Sequence, residues 1–591
     1  MPLFSQPYIK VYVLFTFIVA ILFSAVSGGL VSLFHISNKF FGMIGILLTG
    51  FGIGFYLALP FIHKDLLHMI QPSKKFRAPF LVYLKLRTPK LSYPMITFFL
   101  LILANAYIAM RFFSLRGLGP IEIFIGAGLF LSEAIVMLYV YTFFAYSSIS
   151  IFKPYKKEER LTSTLHYKVA IVVPIYNEPP QTIEKAFHAI SKLKYHNLEM
   201  IAVDDSDEDL LANTTEALAK KYGFTYLRRK ERKGYKAGAL NYAVSKTNAD
   251  IIVVFDADHR PGSNFLLKTI PHFSDEKVAL VQTPQYFTRL STRTSDAAEK
   301  QQAIFYWMIA PGKEVTGSMF CVGTNFAVKR KVLEEVRGFP EDVLTEDIAL
   351  SYSLSMKGYK IKYLNEVVAY GESPPNLRAY FRQQARWAYG STQLTLRILR
   401  EFVSGKLSNM KNKLEYFVSA AWFPLMGAAH VFMLATPIIY VLFQLKSVVI
   451  DPLLYAIIYL AYSGAWSIFF YEFMIFGRAR RRSLWLGQAL LNITALTWFI
   501  SASKVFIGRR MVFSKTIRAS ERMENLRLQT MGPMIPQLLT YTFLIFTFVI
   551  GMNKLIFWTG SFYNALSLVV NLIWILFFIS NYLIIFLFLE E

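Results

Sequence analysis

Three stretches decide the fold: KVAIVVPIY (Lys168–Tyr176), LEMIAVDD (Leu198–Asp205) and IIVVFDAD (Ile251–Asp258). Each is a short β-branched run, and helical stretches separate them, the first from about Gln181. Apolar runs of this length without polar alternation suit strands buried on both faces, as in a mostly parallel sheet covered by helices. The rhythm therefore predicts an α/β domain built from βαβ units. In such sheets ligands bind at the carboxyl ends of the strands. Here those ends read Asn177-Glu178, Asp204-Asp205-Ser206-Asp207 and Asp256-Ala257-Asp258.

Carboxylates at this density repel one another, and a bound hard divalent cation, Mg2+ or Mn2+, relieves the repulsion while also taking phosphate oxygens. The pattern predicts a nucleoside diphosphate ligand, with Asp256 and Asp258 as the metal ligands. A strand-end aspartate can equally cap the helix that follows it. The stretch RRKERKGYKAGALN (Arg228–Asn241) sets a basic loop before a helical run, so Lys236 and the backbone near Gly238 are placed to meet a phosphate; a solvated basic loop is the alternative. Neither GxxxxGK[ST] nor GxGxxG occurs, which removes support for P-loop ATP hydrolysis and for hydride transfer with a dinucleotide.

Outside this segment the chain is of another kind. Its 591 residues are 54% hydrophobic and 17% charged, against about 25% charged for soluble domains, which excludes a purely soluble enzyme. The mean hydropathy is +0.38. A single cysteine, Cys321, excludes an intramolecular disulfide and any cysteine-based metal centre. The net charge of +24 fits topology and not nucleic acid: Lys64, Lys74, Lys75, Arg77, Lys85, Arg87 and Lys90 lie between two apolar stretches, and Arg478 and Arg480–Arg482 follow another.

Apolar windows predict spans near 11–34, 41–62, 95–113 and 121–147, then 415–444, 453–477, 535–558 and 562–588, about eight in all. The first is too long for a signal peptide. Positive residues stay inside, so the basic loop at 64–92 puts the amino terminus and the 153–414 domain in the cytoplasm, with the spans in a cell membrane. The segment 484–507 has arginines on both sides and is expected to lie flat on the cytoplasmic face. The expected plan is four transmembrane helices in 1–152, a cytosolic α/β domain in 153–414, and four further helices in 415–591 with a loop at 508–530.

Four motifs occur in order along the chain: Asp205 in VDDSD, Asp256-Ala257-Asp258, Thr345-Glu346-Asp347 and Gln383-Gln384-Ala385-Arg386-Trp387. With FCVGTN (Phe320–Asn325) and KAGALN (Lys236–Asn241), they resemble the spaced D, DxD, TED and QxxRW set of the processive membrane glycosyltransferases of family 2, the cellulose, hyaluronan and chitin synthase group. The resemblance runs from the first span to the last. It implies a GT-A-type, Rossmann-like catalytic domain and an inverting transfer from a nucleotide-diphospho-sugar, UDP favoured, onto a growing β-linked polysaccharide that crosses the membrane. It implies Asp347 as general base and Asp205, Asp256, Lys236, Gln383 and Arg386 at the donor. Trp387, Cys321 and Glu346 would then meet the acceptor. Membrane lipids surround the spans, and an export partner or a homo-oligomer stays open.

The residue types suit these roles. Thr345 is placed as an N-cap, with Asp347 in the first helical turn, where the helix dipole is expected to lower the carboxylate's pKa and make proton transfer late. In QQARW the offsets put Gln383, Arg386 and Trp387 on one helix face, an arginine for diphosphate and a flat ring for a sugar. The segment MVFSKTIRA (Met511–Ala519) resembles the gating loop of cellulose synthases, with Phe513, Thr516 and Arg518 closing on the nucleotide. No cyclic-dinucleotide-sensing barrel is expected after the last span. Glu133, His430, Gln444, Glu472 and Asn571 are polar positions inside apolar stretches that suit either a sugar conduit or inter-helix hydrogen bonds. Two other readings are transfer of a single sugar to a polyprenyl phosphate or lipid, and a transporter with a nucleotide-sensing domain.

Overall fold

The computed structural model describes residues 89–152, 166–229, 231–288, 292–405, 408–451, 454–455, 457–464, 481–509, 511, 532–583 and 585–588. The expected spans at 11–34 and 41–62, most of 453–477, and Phe513, Thr516 and Arg518 lie outside the described residues. The chain divides into two compact units. One consists of the described residues up to Tyr141 with Ala428–Ala489 and Gln537–Ile585; the other is built on Thr142–Gly427 and Leu490–Pro536.

The second unit holds a seven-stranded sheet. Its elements in chain order are β1 (Val169–Ile175), β2 (Leu198–Asp204), β3 (Thr225–Arg228), β4 (Ile251–Val254), β6 (Val278–Gln282), β8 (Phe326–Lys329) and β9 (Lys360–Tyr363). A smaller sheet contains β5 (Arg260–Pro261), β7 (Phe287–Thr288) and β10 (Ala369–Glu372). The large sheet runs β3-β2-β1-β4-β8-β6-β9. Strands β1 to β4 pair in parallel, as the βαβ rhythm predicts, but β8 is antiparallel to both β4 and β6. The sheet is therefore mixed. Because β8 runs backwards, its first residue, Phe326, pairs with Val254 at the carboxyl end of β4. That reversal delivers FCVGTN to the ligand end of the sheet.

Alternation along β1 sorts its side chains between two cores. Val169, Ile171 and Val173 pack with Ile183, Phe187 and Ile190 of α3 (Pro180–Ile190) and with Ala219 of α4 (Asp209–Tyr222). Ala170 and Val172 share the opposite core with Ala237 and Leu240 of α5 (Tyr235–Val244). Each fully buried large apolar side chain of this kind contributes about 1.5–3 kcal/mol. After α6 (Arg293–Ile304) the helix widens into a π turn at Phe305–Ile309 before α7 (Ala310–Thr316). The Tyr306 carbonyl accepts from the Tyr363 hydroxyl at 2.9 Å, so that buried carbonyl has a partner outside the helix. Helices α8 (Glu346–Met356) and α9 (Leu377–Val403) follow.

Among the described residues, five helices are long and apolar enough to cross a membrane: Pro120–Ser147, Met410–Phe443, Leu486–Phe506, Gly532–Ile556 and Phe562–Leu583. They belong to α2 (Pro120–Phe152), α10 (Met410–Phe443), α11 (Arg481–Phe506), α12 (Ile535–Ile556) and α13 (Phe562–Leu583), and α1 (Pro89–Phe113) carries a shorter apolar run, Leu100–Phe113. In the first unit Glu133 is tied to the helix before it: Arg111 Nε donates to its Oε2 at 2.6 Å and the Tyr107 hydroxyl to its Oε1 at 2.8 Å. His430 lies 3.2 Å from the Tyr582 hydroxyl, and Asn571 donates to the Ser567 carbonyl. These three positions show the inter-helix or within-helix bonding that the sequence left as an alternative to a conduit.

Candidate active site

The carboxyl ends of β1 and β2 are laced together by their own side chains. Asn177 adopts a left-handed φ of 51°, which an asparagine tolerates better than most residues. Its N–H donates to Ser206 Oγ, and its Oδ1 accepts from the Asp207 N–H. The neighbouring acids then take different jobs. Asp204 is fully buried and spends its oxygens on the Ser206 N–H and the Tyr226 hydroxyl. Asp205 turns to the cleft and is gripped at both oxygens by Arg229, with Nε at 2.6 Å from Oδ1. Arg229 also donates to the carbonyls of Lys233 and Tyr235, which shapes the basic loop. Within that loop the Arg232 guanidinium stacks 3.2 Å from the Tyr176 ring centroid.

The phosphate contact was expected from Lys236 and the backbone near Gly238; Ala237 and Ala239 line the cleft, and Gly238 lies between them. Its N–H bonds within α5 to the Gly234 carbonyl, and a Cβ there would lie 2.1 Å from the Lys233 carbonyl oxygen, so glycine is needed for packing. Lys236 does face the cleft, and it joins three motifs. Its ammonium donates to Asp256 Oδ1 at 2.6 Å and to the Gly323 carbonyl at 2.8 Å, and Glu346 Oε1 lies 3.7 Å away. The Asp256 N–H donates to Thr324 Oγ1 at 2.9 Å, a second stitch between DAD and FCVGTN. Burial by itself would weaken the Lys236 ammonium; Asp256 and Glu346 outweigh it and hold its pKa above the ordinary lysine range.

Thr345 occupies the N-cap position of α8, but its side chain makes no capping bond and its buried Oγ1 has no partner. The reason is close packing. α9 passes with Gly390 against this turn, where a Cβ would lie 2.6 Å from the Thr345 nitrogen. Asp347 projects toward Gly323, whose φ of +87° and missing side chain leave room: a Cβ there would lie 3.0 Å from Asp347 Oδ2. The expected dipole-lowered pKa is overturned. Burial, and then the adjacent Glu346 charge, push the Asp347 carboxyl up to about 7, and Glu346 is raised as well, burial again first. At Asp347 desolvation of the carboxylate outweighs the helix terminus.

Helix α9 begins with Asn376, whose side chain accepts from the Ala379 N–H. Gln383, Arg386 and Trp387 line the cleft together, as the offsets predict. Gln384 faces the other way and accepts from Trp498 Nε1 at 3.1 Å. The cleft measures about 660 Å³ and is also lined by Asp205, Lys236, Asp256, Asp258, Glu346 and Asp347. Cys321 is not in its wall. It is 1% exposed and sits in the core with Tyr306, Met319 and Leu350, and burial raises its thiol pKa well above the usual value. Its neighbours Val322 and Gly323 line the cleft instead.

Among the described residues, nine carboxylates face this space against three cations, Arg232, Lys236 and Arg386. Arg229, Arg260 and Arg397 pair with Asp205, Glu372 and Asp342, which still leaves acid in excess. Asp256, Asp258 and His259 present ligand-type atoms within 4.8 Å of one another. Two carboxylates beside a phosphate-sized cleft are the donor chemistry of a hard divalent cation, so the residues fit Mg2+ or Mn2+. Reading the sequence overlooked His259, although DADH was plain in it, and the roles of Arg229 and Tyr176; Gly371, against which His259 packs, carried no local signal.

Residues 251–475 match the family model described as glycosyl transferase family group 2. Among curated proteins the chain is 27% identical over 300 residues to the UDP-forming cellulose synthase catalytic subunit of Xanthomonas axonopodis pv. citri, covering 49% of this chain and 40% of that protein. It is 28% identical over 261 residues to a probable glucomannan 4-beta-mannosyltransferase of Oryza sativa subsp. japonica, covering 42% of this chain and 44% of the other. The chain thus spans under half the length of these relatives. A solved mannosyltransferase from Pyrobaculum calidifontis, in complex with GDP-Man and Mn2+, aligns with a TM-score of 0.44 at 20% identity over 65% of this chain and 100% of the other.

Proposed function

We propose that this chain, which carries a family 2 glycosyltransferase domain of the cellulose synthase-like kind, is a membrane hexosyltransferase that elongates a β-linked polysaccharide from a nucleotide-diphospho-sugar. The observation that carries this reading is the convergence of Asp205, Asp256, Asp258, Asp347, Gln383, Arg386 and Trp387 on one cleft. A pure sensor of nucleotides has no use for an acceptor base with a pKa of about 7 in the same space.

In the proposed reaction an acceptor hydroxyl attacks the anomeric carbon of the donor sugar as the bond to the diphosphate oxygen breaks, and the configuration inverts. Asp347 takes the hydroxyl proton. A carboxylate with a pKa near neutrality is a stronger base than an ordinary aspartate yet remains substantially ionised at pH 7. Arg386 receives the charge that develops on the leaving diphosphate, and Trp387 offers its ring to the acceptor's terminal sugar. Asp256 and Asp258 would hold the cation, which when bound neutralises diphosphate charge. For the Lys236–Asp256 contact this predicts a rearrangement on donor binding, since both the ammonium and the cation seek the same carboxylate.

We assign the cleft to the cytoplasmic face of a cell membrane, with about eight spans around an inserted catalytic domain. The segment 484–507 is assigned to the interface, supported by the buried Trp498 to Gln384 bond and by the grouping of Leu490–Pro536 with the catalytic residues. Incubating full-length protein with UDP-glucose, UDP-N-acetylglucosamine or GDP-mannose and Mg2+ or Mn2+ tests the reading. One donor should give nucleotide release together with a polymer. A product that stays a one-sugar lipid with every donor would replace polysaccharide elongation with single transfer.

A further inference from the structure

His259 follows the DAD run directly and is 4% exposed. Its Nδ1 lies 2.9 Å from Asp258 Oδ1; an ionised carboxylate only accepts, so Nδ1 carries the proton and donates it. Nε2 is buried with no hydrogen-bond partner. It is turned against β10 at Gly371, where a Cβ would lie 2.4 Å from Nε2, 2.7 Å from Cε1 and 2.9 Å from Cδ2. The ring edge therefore rests on bare backbone. With one nitrogen spent on Asp258 and the other walled off, neither is open to a cation.

The wall itself is fastened. The Gly371 N–H donates to the Tyr286 carbonyl at 2.9 Å, and Gly371 pairs with Phe287 of β7. On its other side β10 pairs with β5, Tyr370 opposite Arg260 and Ala369 opposite Pro261, and Glu372 bonds Arg260 at 2.9 Å. The residue next to His259 in the chain is thus clamped to the same strand that backs its ring. Asp258 hangs from this assembly by the imidazole.

We infer that His259 is the positioning residue that fixes the cation-binding carboxylate of Asp258, and that position 371 must be glycine because a side chain there would displace the imidazole. This rests on the cation reading proposed above. Groups that orient a metal ligand from behind change affinity for the metal by roughly 10–100-fold when lost.

The test titrates Mn2+ into full-length, detergent-solubilised protein in the presence of UDP and follows free Mn2+ by electron paramagnetic resonance. D258A should abolish saturable binding. H259F keeps a ring but removes the donor and should weaken binding by roughly 10–100-fold, whereas H259N, whose amide can donate in place of Nδ1, should stay within a few-fold of the wild type. G371A should weaken binding as H259F does, and the double variant G371A/H259N, in which a smaller side chain meets the added methyl, should regain it. H259F binding like the wild type, or G371A/H259N staying as weak as G371A, overturns the inference. A wild type with no D258A-sensitive binding overturns the cation reading instead. If G371A lowers the melting midpoint too far to be measured, the contrast between H259F and H259N decides.

Discussion

Two of the places where this molecule buries charge do so to opposite ends. In the first unit, Arg111, 1% exposed at its side chain, meets Glu133, 10% exposed, with Tyr107 on the second carboxylate oxygen and Ser114 near the guanidinium. One acid matches one base, and a hydroxyl approaches each partner. In the strand-end cleft, among the described residues, nine carboxylates face three cations, and the Lys236 ammonium is shared between Asp256 and Glu346. A balanced pair has no demand left for a ligand. An unbalanced one stores repulsion that a cation, a proton or a positively charged loop relieves, and such places perturb pKa values because they are built to bind and react.

Substitutions can break that contrast, and the largest effect is expected at Asp347. D347N should lower sugar transfer by about 10²–10⁴-fold, the usual share of a general base, while leaving UDP affinity intact. Its melting midpoint should hold or rise, because it removes a desolvated charge beside Glu346; transfer at the wild-type rate would strip Asp347 of its role. At the balanced pair the outcome reverses. R111M should cost about 3–5 kcal/mol by stranding Glu133, and R111M/E133Q should recover most of it, read as melting midpoints in detergent. Persistent damage in the double variant would mean the pair does more than neutralise itself.

A smaller effect is expected at Gly390, where an added methyl must push α9 off the Thr345 turn. Displacing QxxRW from TED by a fraction of an ångström to an ångström costs up to about 10²-fold, so G390A should reduce kcat with little change in fold, as circular dichroism would show. The smallest is a shift in a pH profile. With Asp347 pushed up to about 7 and active only when ionised, kcat/KM should rise with pH through about 7 and then level off. Lys236 is among the influences that lower that pKa, so K236M should move the rise to higher pH. A profile that stays put would detach Lys236 from the base.

Strands β1 and β4 and the second half of β2 were readable because a strand covered on both faces must be apolar throughout, and the acids at their tips stood out against that background. The one-face reading of Gln383, Arg386 and Trp387 followed from helical spacing, and Gly390 on the same helix explains how closely the helix approaches TED. Other features were not readable. FAVK, a four-residue run, has no signal for direction, so the antiparallel β8 and the arrival of FCVGTN beside DAD were hidden. Asp347 was expected to be acidified by its helix, since its burial beside Glu346 and the Gly323 turn has no trace in a local window. Cys321 was drawn toward the acceptor by its motif, while Val322 and Gly323 of that motif line the cleft.

Local chemistry was thus written along the chain: which residues are acidic, which runs can be strands, which faces of a helix are polar, and which stretches are apolar enough for a membrane. Folding alone set the pairings: Lys236 between Asp256 and Glu346, Asp347 against Gly323, His259 against Gly371. The division is physical. Propensity and periodicity act over a few residues, whereas the desolvation that raises Asp347 and the absent side chain that admits His259 depend on segments far away in the chain, which meet only when the sheet closes.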